Sequence, residues 1–202
     1  MSWHPLEMQL SKDSTLAALW GVARLHSRPS DRSPSLGRFI SVWRRDGATW
    51  STLALVLIGI DPLPPPAAGS SGTPRPPDRF PREAEAFVAA DRAFARLAHD
   101  SGAGAAFRTW ADDGALIFGG GGLITRGPTA IGQAVAGPER WTWRPVLAGG
   151  APSGDLGSTV SEAVITRNDG ELSYSKYLTV WSRRGKLVRF LLDGGNQRPP
   201  YN

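Results

Sequence analysis

A repeated pair of apolar segments constrains the fold of this chain more than any other feature of its sequence. Residues 173–193 contain a run of alternating apolar residues ending at Trp181, a basic turn closing on Gly185, and a second apolar run ending at Asp193. Residues 37–61 follow the same order. Alternation with a period of two is typical of strands, and a polar turn that ends in Gly is typical of hairpins. The sequence therefore predicts two β-hairpins of one design.

The correspondence extends from these hairpins towards the start of the chain. Four landmarks set its register: Trp3-His4-Pro5 matches Trp143-Arg144-Pro145 at an offset of 140, Trp43 matches Trp181 at 138, Asp13 matches Asp155 at 142, and Asp61 matches Asp193 at 132. Small shifts confined to turns are typical of a diverged duplication. Because Asp155 and Asp193 both recur, they are interpreted as structural residues at strand ends.

These landmarks divide the chain into three parts. Residues 1–66 hold four apolar segments separated by turn residues, which predicts a four-stranded antiparallel meander, a partial copy made of strands only. Residues 67–81 are rich in Pro, Gly and Ser and predict a linker, because such a composition buries too little apolar surface to fold. Residues 82–202 predict a complete domain.

The complete domain is predicted to begin with helices and to end with strands. Apolar residues at helical spacing predict a helix over residues 82–99. A second helix is expected from a Ser101 cap to Asp112-Asp113-Gly114, and a third begins at a Thr129 cap. Short strands flank a glycine turn at residues 119–122, and long strands are predicted at residues 141–147, 158–167, 172–181 and 186–193. This order predicts an α+β fold in which a curved sheet wraps around helices.

Several motifs in residues 82–202 resemble those of a known superfamily. They are Trp110-Ala-Asp-Asp-Gly with the strand and glycine turn after it, Gly127-Pro-Thr-Ala-Ile-Gly, Ser153-Gly-Asp-Leu-Gly, and the strand of residues 177–181 with Gly185 and Asp193 after it. In these the domain resembles the NTF2-like superfamily, which includes SnoaL-like cyclases and ketosteroid isomerases, and it is most similar to the DUF4440-type branch. The resemblance implies a cone-shaped fold with an apolar cavity between sheet and helices, and often a dimer formed through the sheet.

The strand period indicates which side chains face this cavity. Alternate residues of a strand share a face, so Tyr177, Thr179 and Trp181 form the expected cavity face of their strand. The predicted ligand pocket consists of Phe94, Trp110, Phe118, Trp143, Tyr177, Thr179 and Trp181. In the first copy, the corresponding face carries Phe39, Ser41 and Trp43.

Few residues in this pocket are suited to catalysis. The resemblance puts Phe118 where ketosteroid isomerases carry their base and Tyr177 where they carry an acidic oxyanion donor, so steroid-type isomerisation is not expected. Asp91 is the candidate general base, and Tyr177 is the candidate hydrogen-bond donor to a carbonyl. The alternatives are a solvated helix residue for Asp91 and a buried phenol satisfied by a neighbour for Tyr177. Asp112 and Asp113 fit a helix-ending turn better than an acid–base pair.

Composition excludes several other kinds of site. The chain has no Cys and three His, which leaves little from which to build a metal centre or a nucleophilic triad, and no cofactor is expected. The net charge of +5 is scattered, without a recognition motif, so nucleic acid is not an expected partner. No apolar run approaches the roughly 18–20 residues of a membrane span. No secretory signal is visible, so a cytoplasmic location is the default expectation.

Three hypotheses for function follow from these observations. The first is a binding module for a small apolar or aromatic ligand. The second is a cofactor-free SnoaL-like enzyme that performs proton transfer, dehydration or hydrolysis with Asp91 and Tyr177. The third is an assembly module whose sheet faces form a homodimer, or an intrachain pseudo-dimer in which the first copy covers the sheet of the complete domain. The first copy also lacks helices for its concave face, which another chain, the second domain or upstream residues would have to cover.

Overall fold

A computed structural model describes residues 2–25, 35–59, 77, 79–119 and 123–200 of the chain. Its N-terminal part is an antiparallel meander in which neighbouring strands of the sequence pair with one another. The strands of this first sheet are β1 (Ser2–Leu10), β2 (Leu16–Leu25), β3 (Ser35–Asp46) and β4 (Thr49–Ile58).

The second part combines three helices with a six-stranded sheet. After a single 3-10 turn at Arg82–Ala84, the helices are α1 (Glu85–Ser101), α2 (Ala103–Trp110) and α3 (Pro128–Ala134). The strands are β5 (Ala111–Phe118), β6 (Ile124–Arg126), β7 (Arg140–Gly150), β8 (Leu156–Thr166), β9 (Leu172–Arg184) and β10 (Leu187–Arg198). The sheet order is β6-β5-β10-β9-β8-β7, and β5 pairs with β10 in parallel. The α+β fold preceded by a four-stranded sheet is confirmed.

Several local predictions were wrong at element ends. The second helix ends at Trp110, and Asp112 and Asp113 lie in β5 instead of a turn. Glycines with positive φ, Gly102 at 85° and Gly127 at 84°, occupy the N-cap positions predicted for Ser101 and Thr129. The linker predicted at residues 67–81 lies mostly outside the described residues, as does most of the glycine turn at 119–122.

The two sheets pack face to face through apolar side chains. Leu178 and Val180 of β9 contact a cluster to which Ile40 and Val42 of β3 also belong, and all four side chains are at most 2% exposed. These residues alternate with those that face the helices, as expected for strands with two covered faces. The first sheet therefore covers the outer face of the second.

A separate aromatic core lies between the second sheet and its helices. The Phe94 ring of α1 packs edge-to-face on Trp181 of β9, with ring centroids 6.1 Å apart, and is stacked on Phe190 of β10 at 5.7 Å. All three side chains are fully buried. This core fixes α1 against the concave side of the sheet.

The two sets of four strands share their irregularities. A bulge follows Pro5 in β1 and Pro145 in β7, 140 residues apart. A second bulge inserts one extra residue in each sheet, Leu53 in β4 and Leu191 in β10, and these two positions are 138 residues apart. At the same offset Ala54 matches Leu192, and Leu55 matches Asp193. At this offset Leu55 stands at the strand position of Asp193; Asp61, the match predicted for Asp193, lies outside the described residues.

The turns that follow β1 and β7 also correspond, at an offset of 140. Ser14 N donates to Ser11 O at 2.9 Å, and Gly154 N donates to Ala151 O at 2.8 Å. At this offset Asp155 corresponds to Thr15, so its match with Asp13 was wrong by two residues. The turns contact each other directly. Ser153 N donates to Asp13 Oδ2 at 2.7 Å, and Lys12 N donates to Asp155 Oδ2 at 3.1 Å.

The face of the first sheet turned away from the second sheet is a wide apolar groove of about 610 Å³. Its lining includes Trp3, Met8 and Leu55, which are 41%, 63% and 45% exposed. The predicted strand face of Phe39, Ser41 and Trp43 lies here. Among the described residues, no helix covers this groove.

We expect Leu178→Ala to lower the free energy of unfolding by about 2–5 kcal/mol, because it removes a buried side chain from the contact between the sheets. Leu172→Ala in the same strand is the matched control, since Leu172 is 47% exposed; its change should stay within about 0.5 kcal/mol. Urea denaturation measures both. Equal effects would contradict the assigned contact between the sheets.

Candidate ligand-binding cavity

A cavity of about 670 Å³ opens at one end of the complete domain. Its wall comes from α2, the end of α3 at Val135, the second sheet and the end of β4, and much of it is aromatic and aliphatic. The side chains that matter most for its chemistry are Phe107, Phe118, Trp141, Trp143, Tyr177 and Asp193. The cavity therefore has a largely apolar surface with one carboxyl group, and Ser175, Lys176, Asn196 and Gln197 also contribute to its lining.

Asp91 of α1 lies behind this wall and is fully buried. Trp143 Nε1 donates to its Oδ1 at 2.7 Å, and Ser161 Oγ donates to its Oδ2 at 2.7 Å. Thr159 adds a further side-chain hydrogen bond. Burial raises the pKa of Asp91 above its ordinary value of 3.8, although these hydrogen bonds oppose the rise. Asp91 thus holds α1, β7 and β8 together, and the alternative of a solvated helix residue was wrong.

Close approach of α1 to β8 brings Asp91 to these partners. Gly157 of β8 faces Phe87 of α1, and a Cβ at this position would overlap the Phe87 ring. The missing side chain therefore lets the helix lie close to the strand.

Asp193 of β10 is the carboxyl group in the cavity wall, and sequence reasoning interpreted it as a structural strand end. Its side chain is buried, and Thr179 Oγ1 donates to its Oδ2 at 2.6 Å. The bulge at Leu191 explains its orientation. Phe190 faces the helices, so strict alternation would place the Asp193 side chain on the opposite face of the sheet. Because Leu191 is an extra residue, Asp193 instead pairs with Thr179 and shares its inner face. The cross-strand pairing of Thr179 was the one signal able to identify Asp193.

Burial raises the pKa of Asp193 from 3.8 to about 7; the Thr179 hydrogen bond opposes the rise, and the nearby Asp91 carboxyl adds to it. The Tyr177 hydroxyl is also buried, and it has no hydrogen-bond partner among the described residues. Burial, together with the two carboxyl groups, raises the pKa of Tyr177 well above its ordinary value. The interior of this domain thus holds a phenol with a raised pKa and a carboxyl group with a pKa of about 7.

The structure brings only part of the predicted pocket to the cavity. Phe118, Trp143 and Tyr177 line it. Phe94 and Trp181 are instead fully buried in the aromatic core, and Trp110 packs against that core beside Arg189. Thr179 lies beneath the wall, where it holds Asp193.

The described part of the chain contains no group of three or more His, Asp or Glu side chains placed to hold a metal ion. Within the same residues, no helix has the length and apolar character needed to cross a membrane.

Solved structures of other proteins share this architecture. A Xanthomonas campestris protein assigned as a calcium/calmodulin-dependent protein kinase II association domain superposes with a TM-score of 0.50 at 12% identity, over 63% of this chain and 98% of that protein. The fold is NTF2-like. A cystatin-like, NTF2-like protein from Novosphingobium aromaticivorans (TM-score 0.46, 16% identity, 55% of this chain and 79% of that one) and Δ5-3-ketosteroid isomerase from Mycobacterium sp. (TM-score 0.45, 15% identity, 56% and 93%) are also similar. No protein-family model and no curated protein matches the sequence.

We expect Asp91→Ala to lower the free energy of unfolding by about 2–5 kcal/mol, because it leaves the buried donors of Trp143 and Ser161 without an acceptor. Asp91→Asn keeps one carbonyl acceptor and should lose about 1 kcal/mol. Chemical denaturation of the two variants measures the difference. Equal losses would show that the hydrogen bonds are not the cause.

The raised pKa of Asp193 makes stability depend on pH. Between the ordinary pKa of 3.8 and about 7, the folded protein retains a proton that the unfolded chain has released, so stability falls as pH rises through this window. The slope is at most about 1.4 kcal/mol per pH unit. Asp193→Asn removes this contribution. The difference in Tm, variant minus wild type, should therefore grow from pH 5 to pH 8; a constant difference would contradict the assignment.

Proposed function

We propose that this protein binds a small apolar or aromatic ligand in the cavity of the complete domain. The carrying observation is the volume of about 670 Å³ with aromatic walls, since ligand sites are typically apolar concavities of about 300–1,000 Å³ with few polar groups. Trp141 and Trp143 on β7 and Phe107 on α2 supply flat surfaces for such a ligand. Asp193 and Tyr177 supply the polar groups that would orient it.

Catalysis by Asp91, with Tyr177 as its electrophile, is less well supported than binding. A general base must reach the proton that it removes, and both oxygens of Asp91 already accept hydrogen bonds behind the wall. Asp193 gives acid–base chemistry a specific alternative, because it lines the cavity with a pKa of about 7. In that second candidate function Asp193 replaces Asp91 as the base.

The packing of the two sheets supports an assembly role for the N-terminal part. We infer from the shared bulges that the two sets of four strands are copies of one unit, with residues 1–66, 67–81 and 82–202 as partial copy, linker and complete domain. The first sheet then takes the place that a second subunit holds in a dimer formed through the sheet. The similar Xanthomonas campestris protein is named as an association domain.

The neutral solvatochromic dye prodan tests the binding proposal. We expect its emission to shift to the blue with wild-type protein. Val135→Trp should weaken binding at least tenfold, because Val135 lines the cavity and the larger ring fills it.

Leu19→Trp is the matched control, since Leu19 lines the groove of the first sheet. It should leave the affinity for prodan unchanged. Loss of binding in Leu19→Trp alone would assign the dye to the groove and overturn the proposal.

A further inference from the structure

Two polar groups stand out among the residues that line the cavity, the carboxyl group of Asp193 and the hydroxyl of Tyr177. Thr179 Oγ1 donates a hydrogen bond of 2.6 Å to one oxygen of Asp193, which lies in the cavity wall. The Tyr177 hydroxyl is buried without a partner in the same part of the chain. Buried polar groups are nearly always paired in folded proteins. An unpaired phenol and a carboxyl group in one site indicate that a ligand supplies the missing partner.

The first sheet shows that the strand framework does not require these groups. Leu55 occupies the position of Asp193, and Phe39 occupies the position of Tyr177, at the same offset of 138 residues and beside the same bulge. Leu55 and Phe39 both line the apolar groove. The strands therefore do not need the Asp193 carboxyl or the Tyr177 phenol for their pairing, and we assign both groups a role in the cavity.

The charged group that acts on the Asp193 carboxyl inside the cavity wall is itself an acid. The nearby titratable side chain on α1 is Asp91, whose negative charge adds to the raised pKa of Asp193. From β9 the titratable neighbour is Tyr177, and Lys176 also contributes to the cavity lining. The sides formed by β5 and α2 present Ile117 and Phe107.

We propose that the ligand is a hydrophobic organic cation, an amine on an apolar body whose ammonium group pairs with Asp193. This inference rests on the proposed binding function and specifies its ligand class. An ammonium group donates hydrogen bonds to a carboxylate and to the oxygen of a phenol, so it satisfies both Asp193 and Tyr177. The faces of Trp141, Trp143 and Tyr177 attract the same positive charge.

Other ligand charges fit the site less well. A carboxylate or phosphate beside Asp193 would be repelled by its carboxylate and by the nearby Asp91, because like charges repel strongly where water does not screen them. A neutral alcohol would pair with Tyr177 but would leave the Asp193 charge uncompensated. Of these three groups, only an ammonium ion both neutralises the Asp193 carboxylate and donates a hydrogen bond to the Tyr177 oxygen.

Three probes of one shape test this inference. They are 1-adamantanemethylamine, 1-adamantanemethanol and 1-adamantanecarboxylate, which carry a positive, neutral and negative group on the same apolar cage. Titration calorimetry at pH 8 with the full chain should give an affinity for the amine at least tenfold above that for the alcohol. The carboxylate should bind weakest of the three.

Variants assign this preference to Asp193. Asp193→Asn should bring the affinity for the amine to within about twofold of that for the alcohol. Asp46→Asn is the control, because Asp46 is an exposed acid at the end of β3 in the first sheet. It should keep the full preference. Near-ultraviolet circular dichroism checks that each variant is folded, and Tyr177→Phe, which keeps the ring, should weaken amine binding by a smaller factor.

The pH dependence supplies a readout independent of any variant. Because the pKa of Asp193 is about 7, amine affinity should fall as pH decreases from 8 to 5 and approach tenfold per unit well below that pKa. The affinity for the alcohol should not follow this trend.

The outcomes separate this inference from the proposed function. If the alcohol binds as tightly as the amine, or if Asp193→Asn keeps the preference for the amine, the cation assignment is overturned and the apolar site stands. If the carboxylate binds best, the cation assignment is likewise overturned. If no probe binds while prodan still occupies the cavity, the cation assignment fails alone; if prodan also fails, both fail.

Discussion

The apolar contact between the two sheets is the interaction on which the rest of the molecule depends. Leu178 and Val180 face the first sheet from the same strand whose alternate residues, Tyr177 and Trp181, face the cavity and the aromatic core. A strand covered on both sides has no freedom to slip by one residue, because a slip would exchange the two faces. The first sheet thereby fixes the register that brings Tyr177 to the cavity and Trp181 to the core.

Much of this arrangement could be predicted from the sequence, since alternation in a strand follows from geometry alone. The opposite faces of Tyr177 and Leu178, the four strands of the first sheet and the helical face of Phe94 were all within reach of periodicity. The ends of the helices and strands were harder to predict from the sequence. Ser101 looked like a helix cap, but a chain reversal requiring positive φ gave that position to Gly102.

The candidate site was predicted less well, because its decisive residue depends on a bulge. Leu191 shifts the parity of β10 by one residue, and nothing in a run of Phe, Leu and Leu shows which of them is the extra one. Asp193 was therefore interpreted as a strand end. Asp91 was instead predicted as a base in the cavity, although it is a structural residue. A helix residue one step from the apolar stripe gives no sign that it will accept hydrogen bonds from Trp143 and Ser161, more than 50 positions later in the chain.

The placement of β10 between β5 and β9 has a consequence for the order in which the protein assembles. Every pairing in the first sheet joins strands adjacent in sequence, and such local contacts form quickly. The second sheet closes only when β10 inserts beside β5, a strand separated from it by α3 and four other strands. The first sheet can thus form before the second sheet and provide an apolar surface against which Leu178 and Val180 pack.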